Sequence, residues 1–266
     1  MEYIVKSIYL EITRRCNLNC AHCMRGRAQN IDMSKEDVDK LFDELKGAII
    51  EDVTFGGGEP TLNPEMIEYV IDKIIREEIS VLNIQMITNG QVFDQRVADA
   101  FNRFIEYEYS KSSGALPDLK RSDCKHAYIG FSTDRFHKPI SDKNIKLYKE
   151  NCPYVTFMNH CVPDDEIYKT GNSTFGIELI RRLIPIKYYA SPFDVKILNV
   201  LCLSARGELG INPDGNYLDF DFNNYGHIQN INFYDLLVQN GLPWKTSRRI
   251  EETAAIERRL KARGAR

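Results

Sequence analysis

The most informative stretch of this sequence runs from Cys16 to Cys23 and reads CNLNCAHC. It directly follows the first apolar run, which extends from Tyr3 to Ile12. Three thiolates this close in sequence can converge on one metal centre, whereas a closed structural zinc site or an ordinary iron–sulfur cluster uses four ligands. A site with three protein ligands keeps one position open for a group that is not protein. A zinc knuckle and a set of unrelated free thiols are the alternative interpretations.

A second motif reads VTFGGGEP at residues 53–60 and predicts a buried strand that runs into a glycine-rich turn. Glycines let the backbone approach a ligand closely, and Glu59 places a carboxylate at the turn. The cysteine spacing, together with the run Gly57-Gly58-Glu59-Pro60, resembles the signature of the radical S-adenosylmethionine (SAM) superfamily. The two motifs lie about one βα unit apart, as they do in that superfamily.

The resemblance implies a set of cofactor contacts. Three irons of one 4Fe-4S cluster would be held by Cys16, Cys20 and Cys23, and SAM would chelate the fourth iron. The glycine-rich turn would bind the amino group of SAM, polar groups at strand ends would contact its ribose, and the residue before the third cysteine would pack near its adenine. The candidate residues for these SAM contacts are His22, Gly57, Gly58, Glu59, Asn89, Ser132 and Asp134.

Several of these candidates also have a simpler structural interpretation. Asn89 follows a predicted strand and is a residue type that tolerates a left-handed turn. Ser132 and Asp134 are residue types that cap loops and helices. His22 could be an exposed loop histidine, and His137 is predicted to be a solvated loop histidine rather than a substrate contact.

The composition excludes several classes of protein. The chain has 35 Lys and Arg against 38 Asp and Glu among its 266 residues, which leaves no basic footprint for nucleic acid or for a membrane surface. No apolar run reaches the roughly 18 residues of a transmembrane helix, and the N-terminus lacks the layout of a signal peptide. Seven cysteines, three of them in one loop, do not form a secreted disulfide framework. The sequence therefore predicts a cytoplasmic protein.

Strand and helix patterns alternate along residues 1–200. Strands are predicted at 3–12, 53–56, 81–87, 126–132, 154–159 and 195–203, from period-two patterns and short apolar runs. Helices are predicted to begin near Ser34, Asn63, Val97, Ser141 and Asn172, and an irregular polar segment is predicted at 106–125. Strict alternation of this kind indicates a parallel sheet with helices outside it. We predict an α/β fold, a partial (βα)6 TIM-like barrel, which is also the fold that the resemblance implies.

Residues 201–266 are predicted to form a separate extension. A β-hairpin is expected to turn at residues 213–215, followed by helices near 231–239 and 247–263. This layout resembles the SPASM or twitch-type extension of radical SAM enzymes, but the hairpin lacks the cysteines that bind an auxiliary cluster there. The other cysteines are Cys124, Cys152, Cys161 and Cys202, and they include no close pair. We therefore expect buried free thiols rather than a second cluster.

The resemblance implies a radical SAM enzyme. Such an enzyme takes one electron from a flavodoxin or ferredoxin, cleaves SAM to a 5′-deoxyadenosyl radical and abstracts hydrogen from a peptide or small-molecule substrate. The missing auxiliary cysteines favour redox-neutral outcomes such as epimerisation, and the early Cys16 predicts that no leader-binding domain precedes the barrel. No catalytic acid or base can be named. A glycyl-radical-enzyme activase and a non-catalytic iron–sulfur sensor or electron carrier remain the alternatives.

Overall fold

A parallel sheet forms the centre of the protein. The computed structural model describes residues 2–111, 126–158, 171–173, 186–189, 197–202, 209–218, 224–232 and 241–243. The first five strands of the sheet lie side by side in chain order. They are β1 (Glu2–Thr13), β2 (Ala48–Gly57), β3 (Ser80–Thr88), β4 (Ala127–Ser132) and β5 (Val155–Met158).

Each of the four crossovers between these strands contains a helix. Parallel neighbours cannot be joined by a tight turn, so a crossover is required at each step. The helices are α1 (Lys35–Glu44), α2 (Pro64–Arg76), α3 (Gln95–Lys111) and α4 (Asp142–Asn151), and a 3-10 turn (Pro60–Leu62) precedes α2.

Side-chain caps fix the start of three helices. Ser34 accepts a hydrogen bond from the backbone N–H of Asp37, and Ser141 accepts one from that of Asn144. Asn63 caps α2 in the same way, with Pro64 at the first helical position. Each cap satisfies one of the N–H groups that a helix leaves without an intrahelical partner. The predicted starts of α1, α2 and α4 are confirmed.

One face of the sheet, which we call the helix face, packs against the helices. Residues paired in register across β1 to β4 share this face and are buried in one core with side chains of α1, α2 and α3. Fully burying an apolar side chain of this size contributes about 1.5–3 kcal/mol. Two rows of the helix face are Ile8, Val53, Ile84 and Ala127, and Leu10, Phe55, Met86 and Ile129.

The opposite face, which we call the polar face, carries hydrogen-bonding side chains. Gln85 donates from Nε2 to Oγ1 of Thr54, and Asn83 donates from Nδ2 to Oδ1 of Asp52 at 2.7 Å. These pairs join neighbouring strands across the sheet. Two rows of the polar face are Tyr9, Thr54, Gln85 and Tyr128, and Ser7, Asp52 and Asn83.

In the described part of the chain, six further strands of three to six residues follow β5. Two of them pair in parallel with β1: β7 with its first residues and β8 with Ile8 to Leu10. β8 and β9 form an antiparallel hairpin that β10 extends, while β6 pairs antiparallel with β7 and parallel with β11. The strands are β6 (Ile186–Tyr189), β7 (Ile197–Cys202), β8 (Leu209–Ile211), β9 (Asn216–Leu218), β10 (Asn224–His227) and β11 (Gly241–Pro243).

The predicted α/β fold with an open, mostly parallel sheet is confirmed. The sixth predicted strand corresponds to β7, and the predicted hairpin to β8 and β9, in which the N–H of Gly215 donates to the carbonyl of Asn212 at 2.9 Å. The domain boundary at residue 200 stays a prediction. None of the described helices is long and apolar enough to cross a membrane.

One predicted boundary is wrong. The helical pattern was expected to break at Glu106, but α3 continues to Lys111. Glu108 lies on the same helix face as Phe101 and Ile105 and is buried there. Because a charged residue occupies this core position, the apolar pattern of the sequence ends before the helix does. Residues 172–173 and 231–232, at the predicted starts of two further helices, are not helical. The remainder of those helices, the terminal helix and residues 112–125 lie outside the described residues.

Candidate functional site

The three cysteines lie in a loop that leaves and rejoins the end of β1. We call residues 14–32 the cysteine loop. The N–H of Arg14 donates to the carbonyl of Ile31 at 2.8 Å, and the N–H of Gln29 donates to the carbonyl of Arg14 at 3.0 Å. These bonds close the base of the loop, so Cys16, Cys20 and Cys23 are carried at the carboxyl edge of the sheet. All three are half-buried free thiols.

The three thiols influence one another electrostatically. Burial, with smaller contributions from the neighbouring Cys23 and Cys16 thiolates and from Asp134, raises the pKa of Cys20 to about 11. Burial also raises the pKa of Cys16, and Glu59 and Cys23 add to this effect. Thiolates that repel one another in a half-buried site need a cation to hold them together. The donor set therefore fits a metal centre.

The spacing of the sulfurs favours a cluster over a single ion. Ligands of one tetrahedral zinc at about 2.3 Å lie roughly 3.8 Å apart. Among the described residues, the group of His, Cys, Asp and Glu ligand atoms that all lie within 4.8 Å of one another is His22, Asp134 and His137, and the three cysteines do not form such a group. Cysteines of an iron–sulfur cluster bind different irons and lie farther apart.

The glycine-rich turn packs against the start of the cysteine loop. Gly57 has φ of +133°, and a Cβ there would overlap the carbonyl oxygen of Thr13. The N–H of Gly58 donates to that oxygen at 2.7 Å, and the N–H of Glu59 donates to the carbonyl of Arg15 at 2.8 Å. Glycine is required here because the two backbones touch. The turn thus holds the chain that leads into the first cysteine.

The Glu59 carboxylate is engaged by the protein itself. It is 1% exposed and accepts hydrogen bonds from the N–H and Oγ1 of Thr61, from Oγ1 of Thr88 and from the N–H of Asn89, at 2.6–3.1 Å. Burial raises the pKa of Glu59, although these bonds act in the opposite direction. Its side chain therefore ties the end of β2 to the end of β3.

Asn89 links the end of β3 to the cysteine loop. Its Nδ2 donates to Oδ1 of Asn17 at 2.8 Å, and its Oδ1 accepts from the N–H of Gln91 at 2.9 Å. The second bond is made within the turn, but the left-handed conformation considered for Asn89 belongs to Gly90, whose φ is +69°. The first bond is a contact that the sequence did not predict. The only signal for Asn17 was an amide side chain directly after Cys16.

The segment after β4 packs against His22. The His22 ring stacks on Phe136 with centroids 4.5 Å apart, and its Nε2 lies 3.6 Å from Oδ2 of Asp134. Oδ1 of Asp134 accepts from the N–H groups of Phe136 and His137 and lies 2.8 Å from Nδ1 of His137. The side chain of Asp134 is 5% exposed, and burial acts to raise its pKa, but hydrogen bonds from His137 and Phe136 and the charges of His137 and His22 together lower it. His22, Asp134 and His137 are therefore brought together, and Ser132 lies half-buried at the end of β4.

A buried carboxylate on the polar face was missed by sequence reasoning. Glu11 is 1% exposed, and its Oε1 lies 3.5 Å from Nε of Arg14 and 3.7 Å from Nε of Arg25. Burial raises the pKa of Glu11, while Arg25 and Arg14 act in the opposite direction. Its position on β1, two residues before the strand ends at Thr13, was the available signal.

The other cysteines are described only in part. Cys152 is half-buried against the core, and burial raises its pKa to about 12. Cys202 belongs to β7, and Cys124 and Cys161 lie outside the described residues. The expectation of a single cluster therefore stays a prediction.

Comparison with known proteins identifies the family. A family model described as the radical SAM superfamily matches residues 10–113, a range that contains both the cysteine loop and the glycine-rich turn. Residues 10–113, the part of the chain that the model matches, belong to the radical SAM superfamily. Membership explains why the ends of the first four strands converge on a loop with three cysteines.

Two curated relatives and one solved structure are similar to the chain. The radical SAM cyclopropyl synthase TigE of Paramaledivibacter caminithermalis is 22% identical over 58% of this chain and 34% of its own length. The Fe-coproporphyrin III synthase of Methanosarcina barkeri is 36% identical over 33% of this chain and 22% of its own length. The chain thus spans about a third or less of either relative.

The solved structure described as native anSMEcpe with bound AdoMet and Cp18Cys peptide covers 88% of this chain and 80% of its own, with a TM-score of 0.52 and 15% identity. That likeness shows the fold. It extends well beyond the residues that the family model matches.

Proposed function

We propose that this radical SAM protein binds one 4Fe-4S cluster through Cys16, Cys20 and Cys23 and uses it to cleave SAM reductively. When bound, the cluster and SAM supply a one-electron cleavage that yields methionine and a 5′-deoxyadenosyl radical, which takes a hydrogen atom from substrate. The observation that carries the proposal is the set of three half-buried thiols beside the glycine-rich turn, where Cys23 helps to raise the pKa of both Cys16 and Cys20.

Different residues around the cysteine loop would have different roles in binding SAM. The Gly57–Gly58 backbone lies against the loop, where the amino group of SAM would bind. Glu59 would act through the turn that it braces, because its carboxylate already accepts four bonds from the protein. Asn89 would orient the loop through Asn17. A ligand held by fixed backbone groups needs little reorganisation at the moment of reaction.

The segment after β4 supports the ribose and adenine end of the proposed site. Ser132 and Asp134 would offer oxygen atoms to the ribose hydroxyls, and Oδ2 of Asp134 faces His22 at 3.6 Å. His22 would pack near the adenine, with Phe136 stacked behind it. Polar groups at the carboxyl ends of parallel strands are the usual place for ligand contacts in such folds.

The hydrogen-bonding side chains of the polar face favour a peptide or a small polar metabolite as substrate. Its rows combine aromatic rings with amide and hydroxyl groups, and Glu11 adds a buried charge next to the loop. A substrate rich in hydrogen-bonding groups would match such a surface. The peptide in the anSMEcpe structure, which shares this fold, gives the proposal a precedent.

An acidic one-electron donor such as a flavodoxin or ferredoxin fits the charge of the loop. Residues 14–30 contain four arginines and no acidic residue, although the whole chain has a net charge of −3. Arg27 is exposed, whereas Arg15 pairs with Asp32 at 2.9 Å. A partner that must deliver an electron here would be steered by the exposed positive charge. The reduced thiols also suit a reducing compartment such as the cytoplasm.

The donor is tested by reversing one charge. Arg27→Glu is expected to slow flavodoxin-supported SAM cleavage, with a weaker salt dependence, and to leave dithionite-supported cleavage unchanged. Arg76→Glu, an exposed arginine at the end of α2, is the control and should change neither rate. Equal effects of the two variants would contradict the docking proposal.

The chemistry is tested by anaerobic reconstitution with iron and sulfide, followed by iron counting and an assay for 5′-deoxyadenosine with dithionite. The proposal predicts about four irons per chain and SAM cleavage, both lost in Cys20→Ala and kept in Cys152→Ala. About eight irons would reveal a second cluster. Four irons without SAM cleavage would favour a sensor or electron carrier.

A further inference from the structure

Residues 171–173 lie against the cysteine loop although they are far from it in the sequence. Asn172 and Asn19 are 153 positions apart, yet Nδ2 of Asn172 donates to Oδ1 of Asn19 at 3.0 Å. The same Nδ2 donates to the carbonyl of Cys20 at 3.2 Å. The backbone N–H of Asn172 donates to the carbonyl of Cys23 at 2.9 Å. One residue therefore bonds to the main chain of two of the three cysteines.

These two carbonyls also close the turns of the loop itself. The N–H of Cys23 donates to the carbonyl of Cys20, and the N–H of Gly26 donates to that of Cys23, both at 3.2 Å. A carbonyl oxygen has two lone pairs and can accept both bonds. Asn172 thus adds a second donor at each of the oxygens that set the spacing between the last two cysteines.

Gly171 allows this close approach. Its φ is +62°, and a Cβ there would lie 2.6 Å from the N of Gly26 and would also overlap the carbonyl oxygens of Cys23 and Met24. A side chain at this position would push residues 171–173 off the loop. A glycine followed by a side chain with an amide donor is what the contact requires.

We propose that Asn172, seated by Gly171, is a positioning residue for the metal centre. It fixes the main chain of Cys20 and Cys23 before metal binds, and so preorganises two of the three thiolates. Groups that orient metal ligands from outside the coordination sphere change metal affinity by about 10–100-fold when they are removed. The inference rests on the proposed function for the identity of the metal centre but not for the geometry of the loop.

The inference predicts faster loss of iron from Asn172→Ala. In reconstituted protein, we expect a ferrous chelator to remove iron about 10–100-fold faster from Asn172→Ala than from the parent. The reduction midpoint of the cluster should shift as well, because the carbonyl of Cys20 loses the Nδ2 donor, whereas the backbone N–H of residue 172 still bonds to the carbonyl of Cys23. Asn102→Ala is the matched control, since Nδ2 of Asn102, on α3, donates to the carbonyl of Asn151 at 2.7 Å and not to the cysteine loop. The control should keep the parent's rate and midpoint.

A measurement on the metal-free chain keeps this test separate from that of the proposed function. Hydrogen exchange at the amide of Cys23 reports on the turn that the Cys20 carbonyl closes, and Asn172→Ala should raise it about tenfold while Asn102→Ala does not. Unchanged exchange, iron loss and midpoint in Asn172→Ala would overturn the inference, since Asn172 would then serve only its own segment. If the parent binds no iron, the proposed function fails, and the exchange result still decides the positioning role.

Discussion

The helix face and the polar face of the sheet differ in composition although the same strands form both. In β3, Leu82, Ile84 and Met86 are buried, whereas Asn83 and Gln85 alternate with them. Parallel sheets covered on both faces usually carry apolar residues on both, so their strands read as continuous apolar runs. The alternation found here shows that the polar face does not serve as a second core. The helix face therefore supplies most of the stability, and the polar face adjoins the candidate site.

Loss of a cysteine is expected to have the largest effect on chemistry and almost none on the helix face. Cys20→Ala should reduce SAM cleavage to background, because no other described side chain replaces the third thiolate. The thermal midpoint of the metal-free protein should stay close to that of the parent. Calorimetry of metal-free Cys20→Ala and a 5′-deoxyadenosine assay of the reconstituted variant test both halves. Unfolding of the metal-free Cys20→Ala protein would contradict the separation of stability, on the helix face, from chemistry, at the cysteine loop.

A neighbouring pair on β2 measures the difference in stability between the faces. Phe55→Ala leaves a cavity in the core and should lower the free energy of unfolding by about 3–5 kcal/mol. Thr54→Ala removes the acceptor for Gln85 on the polar face and should cost only about 1 kcal/mol. Urea unfolding of the metal-free variants gives both values. Equal losses would contradict the assignment of stability to the helix face.

The glycine-rich turn is expected to show an intermediate effect. Gly57→Ala should lower stability by about 1–3 kcal/mol and weaken iron retention, because the new Cβ meets the carbonyl of Thr13. Gly47→Ala is the matched control, since Gly47 also has a positive φ of +85° but has open space around it. Urea unfolding and chelator-driven iron loss separate the two variants. If Gly47→Ala also weakens iron retention, the close approach at Gly57 is not the cause.

The smallest expected effect is the pH dependence of the stability that Glu11, on the polar face, contributes. Burial raises its pKa above the ordinary value of 4.5, so the folded state holds this proton more tightly than the unfolded state does. Its contribution to stability is therefore full below 4.5 and is lost as the pH rises through the raised value. Relative to Glu11→Gln, the metal-free parent should lose stability as the pH rises from 4.5.

Glu65 provides a control of opposite sign for that experiment. The hydrogen bond from Lys35 lowers the pKa of Glu65, so the stability that it contributes is present above 4.5 and is lost as the pH falls through its lowered value. Urea unfolding at pH values from below the lowered pKa of Glu65 to above the raised pKa of Glu11 should give opposite trends for Glu11→Gln and Glu65→Gln, each measured against the parent. Trends of the same sign would contradict the burial of Glu11.

Much of the helix face could be predicted from the sequence, because its signals are local. Ser34 and Asn63 cap their helices as expected, and apolar residues recur with the periods of strands and helices. The end of α3 was missed because Glu108, a charged residue, is buried at a core position. The short strands β6, β10 and β11 carry too few residues for a periodic pattern.

The site could be predicted only as far as its motifs extend. The cysteine loop and the glycine-rich turn were recognised from the sequence, but two of the partners of Glu59, Thr88 and Asn89, are about 30 positions away. Sequence alone did not reveal that the protein already uses this carboxylate. The bond between Asn17 and Asn89, and the contact of Asn172 with the loop, connect residues that no local pattern relates.

The central claim, that three thiols hold a cluster with one open iron at the edge of the polar face, is tested most directly by electron paramagnetic resonance of the reconstituted protein reduced with dithionite. The account predicts the signal of one reduced 4Fe-4S cluster whose g values shift when SAM is added, because SAM binds the iron that no cysteine occupies. A signal that SAM leaves unchanged would contradict the open iron, and the absence of any cluster signal would contradict the metal centre itself.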